Sequence, residues 1–217
     1  MASTKKPDRP PRIRKRAGHY HHGDLREALI LAAEQQVAKT GVVDLSLREV
    51  AAAAGVTHAA AYRHFQGKVE LLAELACRGF RQLEARLVAV TQHDTGTEQL
   101  VELGTEYVAF ALQCPGLFRV MFHPSIKPFA DFPELDRAAR AALLVLRHAL
   151  VELRGGPATE EVSRTQTMAA WSTIHGHAVL QLERQLNAPF GIDPTDADRA
   201  ARSVFRILIH GLKLSVA

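Results

Sequence analysis

The chain is short of cysteine, of long apolar runs and of strand-like alternation, and each shortage closes off a class of protein. Its two cysteines, Cys77 and Cys114 in 217 residues, make no disulfide framework, and neither stands in a metal-ligand spacing. They read as reduced thiols of a cytosolic protein. No apolar run approaches the roughly 18 residues that a membrane span requires. The N-terminus is basic, but no apolar segment of the kind found in secretory signals follows it. Period-two alternation is almost absent, and no internal repeat is visible. There is no Ser-His-Asp set beside an oxyanion loop, no phosphate-cradling glycine loop and no paired catalytic carboxylates. His123, His148 and His210 stand alone. His175 and His177 are two residues apart and leave a helix on different faces. The expectation is an all-α, cytoplasmic protein that is no enzyme and takes no metal and no cofactor.

What is present is helical periodicity, punctuated by glycine and proline. Nearly half of the chain is apolar, enough for a sizeable core. The net charge is only +4, but it is unevenly placed. Lys5, Lys6, Arg9, Arg12, Arg14, Lys15 and Arg16 crowd the first segment against Asp8 alone. Such a block, interrupted by prolines, reads as a disordered basic arm, either a polyanion-binding tail or a solubilising one. Helices are predicted from Asp24 as cap to Thr40, from Ser46 to Gly55, from Thr57 to the Phe65–Gly67 region, and from Lys68 to Val90. Further helices are predicted over Glu98–Gln113, Leu117–Phe122, Glu134–Leu153, Thr159–Leu186 and Pro194–Leu214, with Asp193 capping the last and Pro194 in its first turn. An irregular aromatic loop is expected over Pro124–Pro133.

The stretch LSLREVAAAAGVTHAAAYRHFQGK, Leu45 to Lys68, carries the most information. Ser46 with Glu49, and Thr57 at the next start, are helix-opening signals, and Gly55 is a residue that tolerates positive φ in a tight turn. Two short helices on a glycine turn form a helix-turn-helix, whose second helix enters the major groove. Val50, Val56, Ala61 and Phe65 are expected in its core. His58, Tyr62, Arg63 and His64 cannot all be buried in so short an element. His58, Ala59 and Ala60 are expected to face base edges, where an alanine packs on a thymine methyl. Tyr62 and Arg63 are expected to reach base or phosphate. His64 and Lys68, with the amides opening the next helix, are expected on phosphate, the free amides after Ser46 make a further site where a phosphate could dock, and Arg48 and Thr57 are further DNA-binding candidates. Arg14, Lys15 and Arg16 lie where an arm could enter the minor groove.

The segments YHHGDLREALILAA, LSLREVAAAAGV and THAAAYRHFQGKVELLAEL together resemble the N-terminal domain of the tetracycline-repressor (TetR) family of bacterial transcription regulators, over Tyr20 to about Leu75. By that match His19, Tyr20, His21 and His22 are the lead-in to the first helix rather than a metal cluster or tag. Ala60 and Ala61 are smaller than the residues often found at those places. In AAWSTIHGHAVL, Trp171, His175 and Gly176 resemble the Trp-x-x-x-His-Gly motif of one C-terminal class in the family. The resemblance implies a basic arm over 1–18, a three-helix DNA-binding domain over 19–67, and a helical regulatory and dimerisation domain over 68–217, opened by a linking helix over 68–92. It also implies a homodimer through the last two helices, where Val204, Ile207, Leu208, Gly211 and Leu214 form a stripe.

A small-molecule effector pocket is then expected between helices, apolar with a few polar groups. Tyr107, Phe110, Phe118, Phe122, Phe129, Trp171 and His175 are the candidates for its wall, and each also reads as plain core. For Trp171 and His175, core is the favoured reading, with Gly176 allowing close backbone approach and Met168, Ala178 and Leu182 near the stripe. The leading function is a ligand-responsive repressor that binds a palindromic DNA operator as a dimer and is released by a small apolar or amphipathic effector. The alternatives are a helical small-molecule carrier or enzyme, and a DNA-binding protein that acts without a ligand.

Overall fold

A computed structural model describes residues 22–42, 45–155, 159–193 and 196–214. Every regular element among the described residues is helical. Three helices form the first unit: α1 (His22–Thr40), α2 (Leu47–Ala53) and α3 (His58–Tyr62). The longest, α4 (Lys68–Thr91), carries this unit into the body of the molecule. The body comprises α5 (Gly96–Gln113), α6 (Pro115–Met121), α7 (Pro133–Arg154), α8 (Glu160–Leu182), α9 (Asn187–Phe190) and α10 (Ala197–Leu214). Two 3₁₀ turns, Pro124–Ile126 and Phe129–Asp131, bridge α6 to α7.

One apolar cluster runs through both parts. Leu29, Ile30, Ala33 and Val37 of α1 close on Val50, Ala61, Phe65, Leu71, Leu72 and Leu75, all buried. Deeper in the body, α4 packs along α7 and against α5 and α6, while α5 packs on α8 and α10. Helix α6 also touches α1, so α4 and α6 both connect the two parts. Burial of these side chains supplies roughly 1.5–3 kcal/mol each. Ion pairs such as Arg26–Glu74 at 2.6 Å and Arg78–Glu27 sit at the same seam. Exposed pairs of this kind add less than about 1 kcal/mol each.

Several predicted boundaries move. Helix α1 starts two residues before Asp24, so Asp24 is not its cap. Pro115 starts α6 rather than only stopping α5, because the N–H that proline lacks is unpaired in a first turn anyway. Helix α8 ends at Leu182, not Leu186; Arg184 turns to φ 56°, outside helical space. The α-helical part of the last element is Ala197–Leu214, and Pro194 lies outside the described residues. Cys77 is buried and Cys114 partly so, both as free thiols. No described helix is long and apolar enough to cross a membrane.

Candidate nucleic-acid interface and effector cavity

The interface is built from the turn outward. Gly55 holds φ 71°, a conformation that costs other L residues roughly 1–2 kcal/mol. Ser46 Oγ accepts the Glu49 N–H at 3.2 Å and starts α2. The Glu49 carboxylate accepts from the Gln36 side chain on α1. Thr57 Oγ1 accepts the Ala60 N–H at 3.2 Å and starts α3. With Ala61 and Phe65 driven into the core, the helical period leaves the rest of α3 outward. His58, Ala59, Tyr62 and Arg63 are exposed, and Ala60 and His64 are partly so. Tyr62, 47% exposed, meets the His58 ring edge-on at 4.5 Å. Arg48 is exposed, while Ser46 and Lys68 are half-buried. Arg14, Lys15 and Arg16 lie outside the described residues, as do His19 to His21.

One part of the expected phosphate site is already occupied. The Gln66 N–H, just ahead of α4, donates to Glu70 Oε2 at 2.6 Å. A carboxylate at a helix start satisfies the unpaired amides that an anion would otherwise take. Below the interface, Phe65 is covered by the Arg26 guanidinium at 5.0 Å, which ties α3 to α1 and, through Glu74, to α4.

Inside the body lies a cavity of about 230 Å³. Its wall is Phe80, Leu83 and Leu87 from α4, Leu103 and Tyr107 from α5, Ala139, Ala142, Leu143 and Leu146 from α7, and Trp171 and Ile174 from α8. Phe122, Lys127 and Phe129 close it from the α6–α7 connection, and Asp136 and Arg140 add charge from α7. Phe80 meets both Phe122 and Phe129 edge-on, at 5.7 and 5.8 Å.

Four of the aromatic candidates, Tyr107, Phe122, Phe129 and Trp171, therefore stand on this wall, and three do not. Phe110 is fully buried, with the Arg86 guanidinium over its ring at 5.5 Å. Phe118 is core, stacked on His175 at 5.6 Å. His175 sits behind the wall, its ring 4.4 Å from Phe122, and its Nδ1 pairs with the Tyr107 hydroxyl at 2.8 Å. Burial, and then the charge of Lys127, lowers the His175 pKa from its ordinary 6.5. In the tautomer with hydrogen on Nε2, Nδ1 accepts the hydroxyl proton; in the other, Nδ1–H donates to the tyrosine oxygen. Burial raises the Tyr107 phenol, opposed by a hydrogen bond with Trp171.

The Trp171 stripe also departs from a core reading. Trp171 is 37% exposed and Met168 59%, whereas Ala178 is fully buried. Gly176 faces open space rather than a close backbone. Sequence reasoning missed the cavity's contributions from α4 and α7 and its charged residues. Lys127 carried one legible sign, a lone cation between two phenylalanines.

A helix-turn-helix carried on a helical body with an apolar cavity is the architecture of a DNA-binding regulator. Residues 29–75 match the family model of bacterial regulatory proteins of the tetR family, and residues 100–212 match that of the tetracyclin repressor-like C-terminal domain. A protein of unknown function from Rhodococcus sp. RHA1 is similar in structure, with TM-score 0.72 and 31% identity over 87% of this chain and 97% of that one. The probable acrEF/envCD operon repressor of Escherichia coli K12 is 34% identical over 104 residues, 45% of this chain. The match spans 47% of that repressor, so the chain covers about half of its length. The regulator FadR of Bacillus subtilis, solved in complex with stearoyl-CoA, shares the fold at TM-score 0.66 and 18% identity, over 85% of this chain and 98% of that one. The chain belongs to the tetR family of bacterial regulatory proteins, a family of transcription factors rather than enzymes.

Proposed function

We propose that the protein is a ligand-responsive repressor: a dimer that holds a palindromic operator until a small apolar or amphipathic molecule fills the cavity. The observation that carries this reading is the shared wall. Helix α4 lines the cavity with Phe80, Leu83 and Leu87, and its first turns pack under the DNA-facing unit through Leu71, Leu72 and Leu75. Helix α6 approaches α1 so closely at Gly116 that a Cβ there would lie 2.6 Å from the Val37 carbonyl oxygen. A molecule that spreads the cavity wall acts on both links at once. It shifts DNA affinity only as far as it prefers the released conformation. The names of the Escherichia coli and Bacillus subtilis relatives support repression and an amphipathic effector.

On DNA, His58, Ala59 and Ala60 read base edges, with Tyr62, Arg63 and Thr57 beside them. Ser46, Arg48, His64 and Lys68 hold phosphate, and the arm with Arg14, Lys15 and Arg16 enters the minor groove. The DNA-binding domain is 19–67, preceded by the arm at 1–18, and the regulatory domain 68–217 opens with the linking segment 68–92. Trp171, His175 and Gly176, within the matched 100–212 region, support a reading of the C-terminal domain as one of the Trp-x-x-x-His-Gly class. The dimer forms through α8 and α10. Met168, Val179 and Leu180 on α8 and Val204 and Ile207 on α10 are exposed apolar residues, and Gly176 and Gly211 leave room beside them. The protein works in the cytoplasm, on the nucleoid.

The test is selection of bound DNA from a random pool. The expected result is a palindrome whose half-sites are about one helical turn, or a multiple of one, apart. Retention of that DNA should then fall when a cavity ligand is added. A pool with no enriched palindrome rejects the reading. DNA binding that no ligand alters favours the ligand-independent alternative.

A further inference from the structure

The cavity is largely apolar, and its charged lining residues are Lys127, Asp136 and Arg140. Asp136 is already spoken for: its Oδ2 accepts from Arg140 Nε at 2.7 Å, one turn along α7. That pair is neutral as a unit, and the rest of the Arg140 guanidinium has no partner among the described residues. Lys127 has no carboxylate within 4 Å among the described residues. Its ammonium lies 3.2 Å from the centre of the Phe129 ring and 5.8 Å from that of Phe122, both on the cavity wall. The net charge of the mouth is therefore one positive charge.

We infer that the effector is a single-headed organic monoanion, a carboxylate on an apolar chain or ring system, whose head is held by Lys127 and Arg140. This rests on the regulator reading above and names the ligand class of the same cavity. The apolar wall takes the body of the molecule. The head gives Lys127 the counter-charge that its surroundings lack, and the free edge of Arg140 offers the parallel N–H donors that fit a carboxylate. Partial burial lowers the Lys127 pKa from its ordinary value, and an anion beside the ammonium would oppose that shift. A cationic head meets like charge. A head with several negative charges, such as a coenzyme A thioester carries, exceeds the one positive charge available.

The chain has a single tryptophan, and it lies on the cavity wall, so Trp171 fluorescence reports binding directly. The full-length protein is titrated with decanoate, decan-1-ol, decylamine and decanoyl-coenzyme A. Decanoate should bind about tenfold or more tighter than decan-1-ol, as a charge-assisted contact implies, with decylamine weakest and the thioester no tighter than the free acid. In Lys127→Gln the preference for acid over alcohol should collapse; Arg140→Gln should lower it in part. Lys127 is exposed, and the wild-type head-group series tests the inference without any variant. Equal affinity for acid and alcohol overturns it, as does a preference that survives in Lys127→Gln, or a thioester that binds tenfold tighter than the acid. The same ligands added to the protein–DNA complex separate the two claims. Release by acid and alcohol alike, at equal fluorescence affinity, overturns the head-group assignment and leaves the regulator standing. Acid-selective binding without DNA release supports the head group and counts against the regulator.

Discussion

Tyr62 ends and Arg63 caps the five-residue helix α3, whose buried residue is Ala61, with Phe65 buried just beyond it. Their exposure means that removing them costs the fold little. Tyr62→Ala and Arg63→Ala should each weaken operator binding about tenfold or more, with the melting temperature unchanged. Loss of binding that merely follows loss of folding, read by circular dichroism on the same samples, would contradict the assignment. Below the interface, Thr57→Ala removes a cap that is made in the structure and should cost about 1 kcal/mol. His175 and His177 are both held below 6.5 by burial. The unfolded chain therefore takes up protons that the folded one refuses. Stability from these groups is full above about 6.5 and declines as pH falls toward their lowered values. Melting temperatures between pH 7.5 and 5.5 should fall, and replacing both histidines by glutamine should flatten that slope. At this scale the helix-turn-helix was legible because caps, turn glycine and outward residues all lie within a few positions of one another. The cavity was not. Phe110 and Phe118 have the same side-chain chemistry as Phe122 and Phe129, and only packing between distant helices decides which of them meets a void.

Among the elements, α6 has the most consequential position. Its Pro115 start follows from proline's tolerance of a first turn, and its Gly116 is required by the Val37 carbonyl of α1. Gly116→Ala should cost about 1–3 kcal/mol, because backbone cannot yield as a side chain end can. The check is a denaturant midpoint. A neutral result would mean that α6 and α1 are not rigidly in contact. Helix lengths and types were readable from periodicity and caps. Starts and stops that depend on neighbours were not: α8 ends early at Arg184, and α1 begins before its supposed cap.

Across the whole molecule, the outward faces of α8 and α10 have no partner within the described residues. Ile207 is 75% exposed on α10, too large an apolar group to leave in water beside Val204 without a reason. Ile207→Glu should yield a folded monomer by sedimentation, with operator affinity reduced because two half-sites no longer bind together. A dimer that persists would place the interface elsewhere. The stripe on the last helix was legible from spacing, since it needs no knowledge of the partner. That Gly176 of α8 faces open space was hidden, because an open glycine and a tightly packed one read alike.

The central claim is that cavity and DNA face share one equilibrium. The most direct measurement is the affinity of a cavity ligand, followed by Trp171 fluorescence, with and without saturating operator. If the two sites are linked, operator must weaken the ligand by the same factor by which the ligand weakens operator, and that factor should lie between about 5-fold and 150-fold. Ligand affinity that is identical with and without operator would contradict the account.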